Sequence, residues 1–88
     1  MKIAEIHDVF LESTGVSLDT RTIKENNIFF ALSGENFNAN LFAKDALAKG
    51  ASLVIVDDKK FYDSKNKAYV LVSSVLDTLQ ELANFHRN

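Results

Sequence analysis

The chain has 88 residues, of which 47% are hydrophobic and 25% charged, and this usage is typical of one compact globular domain rather than a disordered segment. Its net charge of -2 offers no general attraction to nucleic acid or to an anionic membrane, and the absence of cysteine excludes disulfides and thiolate metal sites. No apolar run approaches the roughly 20 residues that span a bilayer, and no signal-peptide core follows Met1. We therefore expect a cytoplasmic protein with neither a nucleic-acid nor a membrane partner.

The first third of the chain predicts one helix and two strands. Apolar residues recur at helical spacing over residues 3–13: Ile3, Ile6, Phe10 and Leu11. Gly15 follows as a stop signal. Residues 16–18 predict a short strand, and the continuous apolar run from Ile28 to Leu32 predicts a strand that is buried on both faces.

The hydrophobic period changes after residue 38 and predicts an amphipathic helix. Its core-facing stripe consists of Ala39, Phe42, Ala43, Ala46 and Leu47. Asn38 or Asn40 is suited to cap its start, and Lys49 with Gly50 is suited to close its end.

The last third of the chain predicts two more buried strands and a final helix. The strands are Leu53–Val56 and the run 69–72. The helix opens at Ser74 in a loose form of the capping box, with Asp77 three residues on, and reaches almost to Asn88. The polar segments 57–60 and 63–67 are expected to be solvated turns, with Phe61 and Tyr62 as a small anchor between them.

Alternating apolar strands and helices predict an α/β fold, here a small three-layer-like domain with a mainly parallel or mixed sheet. Because the sequence stops at the end of a predicted helix, we expect residues 1–88 to be a single domain cut from a longer protein.

Catalytic and metal-binding motifs are largely missing. His7 and His86 lie at opposite ends of the chain on predicted helices, and we interpret them as partly exposed helix residues rather than a ligand pair. Neither a phosphate loop nor a dinucleotide-binding glycine motif is present. Asp57 and Asp58 could bind a cation, but a strand end followed by two lysines is more often a solvated turn.

Two polar segments flank the buried run 28–32 and form the candidate binding site. They are Leu-Asp-Thr-Arg at 18–21 and Ser-Gly-Glu-Asn-Phe-Asn-Ala-Asn at 33–40. Ligands of open α/β sheets bind beyond the carboxyl ends of the strands, where backbone N–H groups can meet phosphate or sugar oxygens. The candidate donors are the Thr20 hydroxyl, the Arg21 guanidinium and the amides of Asn36, Asn38 and Asn40, with Gly34 allowing close approach. A local turn and a helix cap would explain the same residues, and chemistry alone favours neither interpretation.

The order of three motifs resembles the N-terminal domain of the Mur ligases. These motifs are Val-Ser-Leu-Asp-Thr-Arg (16–21), Ile-Phe-Phe-Ala-Leu-Ser-Gly-Glu-Asn-Phe-Asn-Ala-Asn-Leu-Phe (28–42) and Ala-Leu-Ala-Lys-Gly-Ala-Ser-Leu-Val-Ile-Val (46–56). The resemblance covers nearly the whole chain. Within the family, the Phe-Phe-Ala-Leu, Gly-Glu-Asn-Phe-Asn and Leu-Gln-Glu-Leu-Ala-Asn-Phe-His-Arg features look most like the ligase that adds D-alanyl-D-alanine.

The resemblance implies a substrate-binding domain without catalytic residues, in a three-domain ligase of peptidoglycan synthesis. Such a domain holds the uridine diphosphate end of UDP-N-acetylmuramoyl-peptide. The central ATPase domain of the same chain carries ATP and Mg²⁺, so no cofactor is expected in this domain. The residues that match family positions at the nucleotide are Leu18, Thr20, Arg21, Gly34, Glu35, Asn36 and Phe37, with Asn38 and Asn40 following by adjacency.

Two alternatives and two departures accompany the resemblance. The alternatives are the Mur ligase that adds the third amino acid of the peptide, and an interaction domain that has lost the nucleotide. Family members commonly have glycine where Ala39 stands, and a Pro-Gly-Asp turn at residues 25–27. Asn26 or Asn27 is expected to supply the left-handed turn instead.

Overall fold

The computed structural model describes residues 3–33 and 38–87. Its regular elements are, in chain order, α1 (Ile3–Glu12), β1 (Gly15–Ser17), β2 (Asn27–Phe30), α2 (Ala43–Ala48), β3 (Leu53–Val56), β4 (Tyr69–Leu71) and α3 (Val75–Arg87). Three single 3₁₀ turns lie between them, at Thr20–Thr22, Ala39–Phe42 and Lys59–Phe61. Within the described part of the chain, no helix is both long and apolar enough to cross a membrane.

The four strands form one sheet in the order β1-β2-β3-β4, and every neighbouring pair is parallel. The α/β prediction is therefore confirmed. All four strands end at the same edge, so the segments that follow them meet there. β2 and β3 occupy the centre, and each of their residues is buried. Strands that are buried along their whole length are typical of a parallel sheet covered on both faces.

Helices cover both faces of the sheet and give the three predicted layers. Ile28 and Phe30 point to the face covered by α1 and α3, where Ile6 and Leu82 are buried. Phe29 points to the opposite face, into a cluster with the alanines of α2. The small alanine side chains let the short α2 lie close to the sheet. The face of the sheet that carries α2 also carries the cavity described below.

Two expectations about the helices need correction. The helix predicted from residue 39 begins as the 3₁₀ turn Ala39–Phe42, and its α-helical part is only Ala43–Ala48. Leu11 is 60% exposed and does not belong to the core. It stands one residue beyond Phe10 and five beyond Ile6, which places it about 100–140° off the buried stripe of α1.

The turn before β2 takes the conformation expected from Asn26. This residue has a φ of 69°, and its N–H donates to the Gly50 carbonyl oxygen at 2.8 Å. Its side-chain amide donates to the Glu12 carbonyl oxygen at 2.9 Å. Gly50 itself has a φ of 113°. Its backbone lies so close to Glu25 that an added Cβ would be 3.0 Å from the Glu25 Cα. Asn26 therefore joins the ends of α1 and α2 at the amino edge of β2.

Candidate functional site

A cavity of about 410 Å³ lies beside the carboxyl ends of β1 and β2. Residues 18–21 line one side of it, and Phe29, Ala39 and Phe42 line the other. Phe29 is buried beneath the cavity, whereas Leu18 remains 46% exposed at its side. The cavity thus combines apolar walls with a polar turn, and it brings the two predicted segments together.

The polar turn Thr20–Thr22 is held by its own hydrogen bonds. Asp19 caps it, because its Oδ1 accepts from the Arg21 N–H at 2.9 Å. The Asp19 carbonyl oxygen accepts from the Thr22 N–H at 3.1 Å and from the Ser17 hydroxyl at 2.8 Å. The buried Ser17 anchors the turn to the end of β1, so Thr20 and Arg21 have a fixed backbone beside the cavity.

Arg21 and Asp19 form an exposed bidentate ion pair. Arg21 Nη2 donates to Asp19 Oδ2 at 2.7 Å, and Arg21 Nε donates to Asp19 Oδ1 at 3.2 Å and to Oδ2 at 3.0 Å. Hydrogen bonding by the Arg21 side chain, and then by its backbone N–H, lowers the pKa of Asp19 to about 2. An exposed pair contributes little stability, but it orients the guanidinium. The pair uses two of the five guanidinium N–H donors, so Arg21 can still bind an anion.

Asp19 should therefore titrate at a pKa of about 2. Because this folded-state pKa lies below the unfolded value, the stabilisation from the pair is complete above about pH 4 and disappears as the pH falls through 2. Carboxyl chemical shifts followed against pH measure this. Arg21→Gln should raise the pKa of Asp19, whereas Lys44→Gln, which removes an exposed cation of α2, should not. A pKa near 3.8 in the unsubstituted chain would contradict the ion pair.

The second predicted segment is held closed at its base. Ser33 Oγ accepts from the Ala39 N–H at 2.9 Å and donates to Asn38 Oδ1 at 3.3 Å. Residues on either side of the segment 34–37 are thereby joined. Four of the predicted ligand-contacting residues, Gly34, Glu35, Asn36 and Phe37, lie outside the described residues.

Asn38 and Asn40 belong to a hydrogen-bond network that also includes Asp57. Asn40 is only 3% exposed, and its Nδ2 donates to Asn38 Oδ1 at 2.8 Å and to Asp57 Oδ1 at 3.0 Å. Asn40 Oδ1 accepts from the Asp57 N–H at 3.0 Å. Asp57 Oδ2 in turn accepts from the Val75 N–H at 3.1 Å, at the start of α3. The network fastens the loop base to β3 and α3.

Asp57 is exposed, as expected of a solvated turn, but the sequence did not reveal its hydrogen bonds to Asn40 and Val75. The available signal was positional, since Asp57 directly follows β3 and Asn38–Asn40 follow β2. The carboxyl ends of neighbouring parallel strands lie side by side, so polar residues that follow them can come together at this edge. Asp58 does serve a local turn, because its Oδ1 accepts from the Lys60 N–H at 3.0 Å.

The two histidines meet on the opposite face of the sheet. His7 Nε2 and His86 Nδ1 are 3.1 Å apart in a hydrogen bond that joins α1 to α3. The His7 ring also packs on Phe85, with 4.8 Å between ring centroids. Among the described residues, no group of three or more His, Asp or Glu side chains is placed to hold a metal ion.

Comparison with known proteins gives three kinds of similarity. Residues 12–87 match the profile described as Mur ligase family, catalytic domain. Over 46 residues the chain is 54% identical to the UDP-N-acetylmuramoyl-L-alanyl-D-glutamate–2,6-diaminopimelate ligase of Rickettsia conorii. The aligned stretch is 52% of this chain and 10% of that ligase. Over 69 residues it is 35% identical to the UDP-N-acetylmuramoyl-tripeptide–D-alanyl-D-alanine ligase of Bacillus subtilis. This aligned stretch is 78% of the chain and 15% of that ligase.

The fold is similar to that of a solved ligase. The crystal structure of MurF ligase from Thermotoga maritima in complex with ADP superposes on 97% of this chain with a TM-score of 0.74 and 28% identity. The superposed part is 18% of that protein. The chain thus spans less than a fifth of the length of each of these proteins.

Proposed function

The chain belongs to the Mur ligase family, and from this premise we propose that it is the N-terminal substrate-binding domain of an ATP-dependent amide ligase of peptidoglycan synthesis. Its ligand is the uridine diphosphate end of UDP-N-acetylmuramoyl-peptide. The observation that carries the proposal is the cavity itself. The motif residues 18–21 and the distal part of the second motif, Ala39 and Phe42, line the same space.

The cavity has a size and a lining that suit a nucleotide. Its volume of about 410 Å³ falls within the range of small-molecule sites, which combine apolar walls with a few placed polar groups. Leu18 and Phe42 offer apolar surface to a pyrimidine ring. Thr20 offers a hydroxyl, and Arg21 offers the donor geometry that matches phosphate oxygens.

The proposed roles of the second segment divide into two groups. Gly34, Glu35, Asn36 and Phe37 are proposed to contact the uridine and phosphates, as their match to the family motif implies. Asn38 and Asn40 are proposed to act through the loop base. Their amides already bond to Ser33, to Asp57 and to each other, so they support the loop rather than meet the ligand directly.

In this proposal, the ATP-dependent reaction takes place in the other domains of the ligase. The sequence contains no phosphate loop, and the described residues offer no cluster suited to Mg²⁺. ATP and Mg²⁺ are assigned to the central domain of the same chain. Binding energy gained at the nucleotide, far from the reacting carboxyl, then serves to position that carboxyl for phosphorylation and amide formation.

For the full ligase we propose addition of D-alanyl-D-alanine, supported by the similarity to the Thermotoga maritima structure over 97% of the chain. The alternative is addition of the third amino acid, which the 54% identity to the Rickettsia conorii ligase favours. The full-length protein decides between them. ATP hydrolysis that depends on UDP-N-acetylmuramoyl-tripeptide and D-alanyl-D-alanine supports the first. Hydrolysis that depends on the UDP-linked dipeptide and a diamino acid supports the second.

Titration of the 88-residue chain with UDP, followed by amide chemical shifts, tests the binding proposal. We expect shifts at residues 18–22 and 38–42. Arg21→Ala should raise Kd about tenfold or more, because a charge-assisted hydrogen bond to phosphate contributes about 1.5–3 kcal/mol, and Thr20→Val should raise it less. Ser64→Ala, on an exposed remote turn, is the matched control.

Shifts confined to the α1–α3 face would contradict the site. No shift with UDP or the UDP-peptide at millimolar concentration would favour an interaction domain that has lost the nucleotide.

A further inference from the structure

Lys49 connects α2 to the polar turn of the cavity. It is the C-cap residue directly after α2, and its Nζ donates to the Thr20 carbonyl oxygen at 3.2 Å. The last carbonyls of a helix carry partial negative charge, which favours a cation at this position. The ammonium group is thus held between the end of α2 and the Thr20–Thr22 turn.

Without Lys49, the charges around the turn would be balanced. Arg21 is bound to Asp19 in a bidentate pair, so these two side chains together carry no net charge. Lys49 forms no ion pair with a carboxylate in the described ranges 3–33 and 38–87. Its charge does reach Asp19, whose pKa is lowered mainly by the Arg21 hydrogen bond and additionally by Lys49. The ammonium group therefore supplies the surplus positive charge of this turn.

We propose that Lys49 is a substrate-positioning residue of the nucleotide site. Its hydrogen bond holds the Thr20 carbonyl, and its surplus positive charge attracts the diphosphate of the ligand. The inference rests on the proposed function for the identity of the ligand. A diphosphate brings at least two negative charges, which a turn neutralised by its own ion pair would not balance.

Three variants of the 88-residue chain separate charge from structure. Lys49→Met keeps much of the side-chain length and removes the charge, Lys49→Arg restores the charge, and Lys44→Met removes a charge from the exposed side of α2. Each is titrated with UDP and with uridine at low ionic strength. We expect Lys49→Met to raise the Kd of UDP about tenfold and that of uridine less than twofold. Lys49→Arg and Lys44→Met should stay within twofold of the unsubstituted chain.

A second measurement needs no ligand. In the free chain, Lys49→Met should shift the Arg21 and Thr22 amide signals and raise the pKa of Asp19, and Lys49→Arg should reverse both changes. Unchanged signals, an unchanged Kd for UDP, or equal weakening of UDP and uridine would each overturn the inference. If the unsubstituted chain binds no UDP while the free-chain signals respond as expected, the proposed function fails but the coupling of Lys49 to the turn stands.

Discussion

Phe29→Ala should lower the free energy of unfolding by about 3–5 kcal/mol, the range for deleting a buried aromatic ring. Phe29 is 1% exposed and lies in the central strand β2, in the cluster beneath α2. α2 is only six residues long, so it depends on this packing rather than on its own helical stability. A domain of this size has a total stability of about 4–13 kcal/mol, and the substitution would remove a large part of it. Urea denaturation followed by circular dichroism measures the loss.

Two further variants isolate the packing contribution of Phe29. Phe29→Leu keeps most of the buried volume and should cost about 1–1.5 kcal/mol. Phe85→Ala removes an equal ring from α3, where the side chain is 42% exposed, and should cost less than Phe29→Ala. Equal losses of unfolding free energy for Phe29→Ala and Phe85→Ala would contradict this prediction. They would show that packing beneath α2 contributes no more stability than an exposed ring on α3.

The elements with the strongest local signals were predictable. β3 has the predicted bounds Leu53–Val56, because a continuous apolar run between polar residues has no other stable place than the centre of a sheet. The start of α3 was equally clear. The Asp77 N–H donates to Ser74 Oγ at 3.2 Å, as the capping pattern predicts, since a cap depends only on residues within one turn.

Contacts between distant residues were not predictable from periodicity. His7 and His86 are separated by 79 positions. The hydrophobic pattern of each helix predicts only that the helix has one buried face. Which two helices share that face depends on the handedness and order of the strand connections. The same limitation applies to Asp57, which stands between β3 and the polar residues Asp58, Lys59 and Lys60. Its bonds to Asn40 and Val75 exist because three strand ends converge at one sheet edge.

The sequence predicted only part of the candidate site, because some of its contacts also join residues that are distant in sequence. Residues 18–21 were chosen as polar residues ahead of the buried run 28–32, and in the fold they directly follow β1, whose carboxyl end lies beside the cavity. Amides were assigned to the ligand because asparagine offers donors and acceptors alike. That chemistry serves a buried network equally well, and burial is a tertiary property. The 3% exposure of Asn40 therefore changes its proposed role, while Gly34 to Phe37 remain predictions.

Asn40→Ala tests this network. We expect a loss of about 2–3 kcal/mol in the free energy of unfolding, because the substitution removes three side-chain hydrogen bonds and leaves the Asp57 N–H without its acceptor. Urea denaturation measures the total. Asn66→Ala is the matched control, since Asn66 Oδ1 accepts one exposed bond from the Ala68 N–H and should cost under about 1 kcal/mol.

Hydrogen exchange shows where the loss in Asn40→Ala arises. The Asp57 amide should exchange faster by a larger factor than the Val54 amide, whose bond to the Ala68 carbonyl oxygen lies within the sheet. Equal acceleration of the two amides would mean that the substitution weakens the whole domain and not the loop base. A loop base loosened in this way should also raise the Kd of UDP, because ordering the loop would then oppose binding. Weaker binding with an unchanged Asp57 exchange rate would instead place Asn40 in contact with the ligand, as its position beside the family motif first implied.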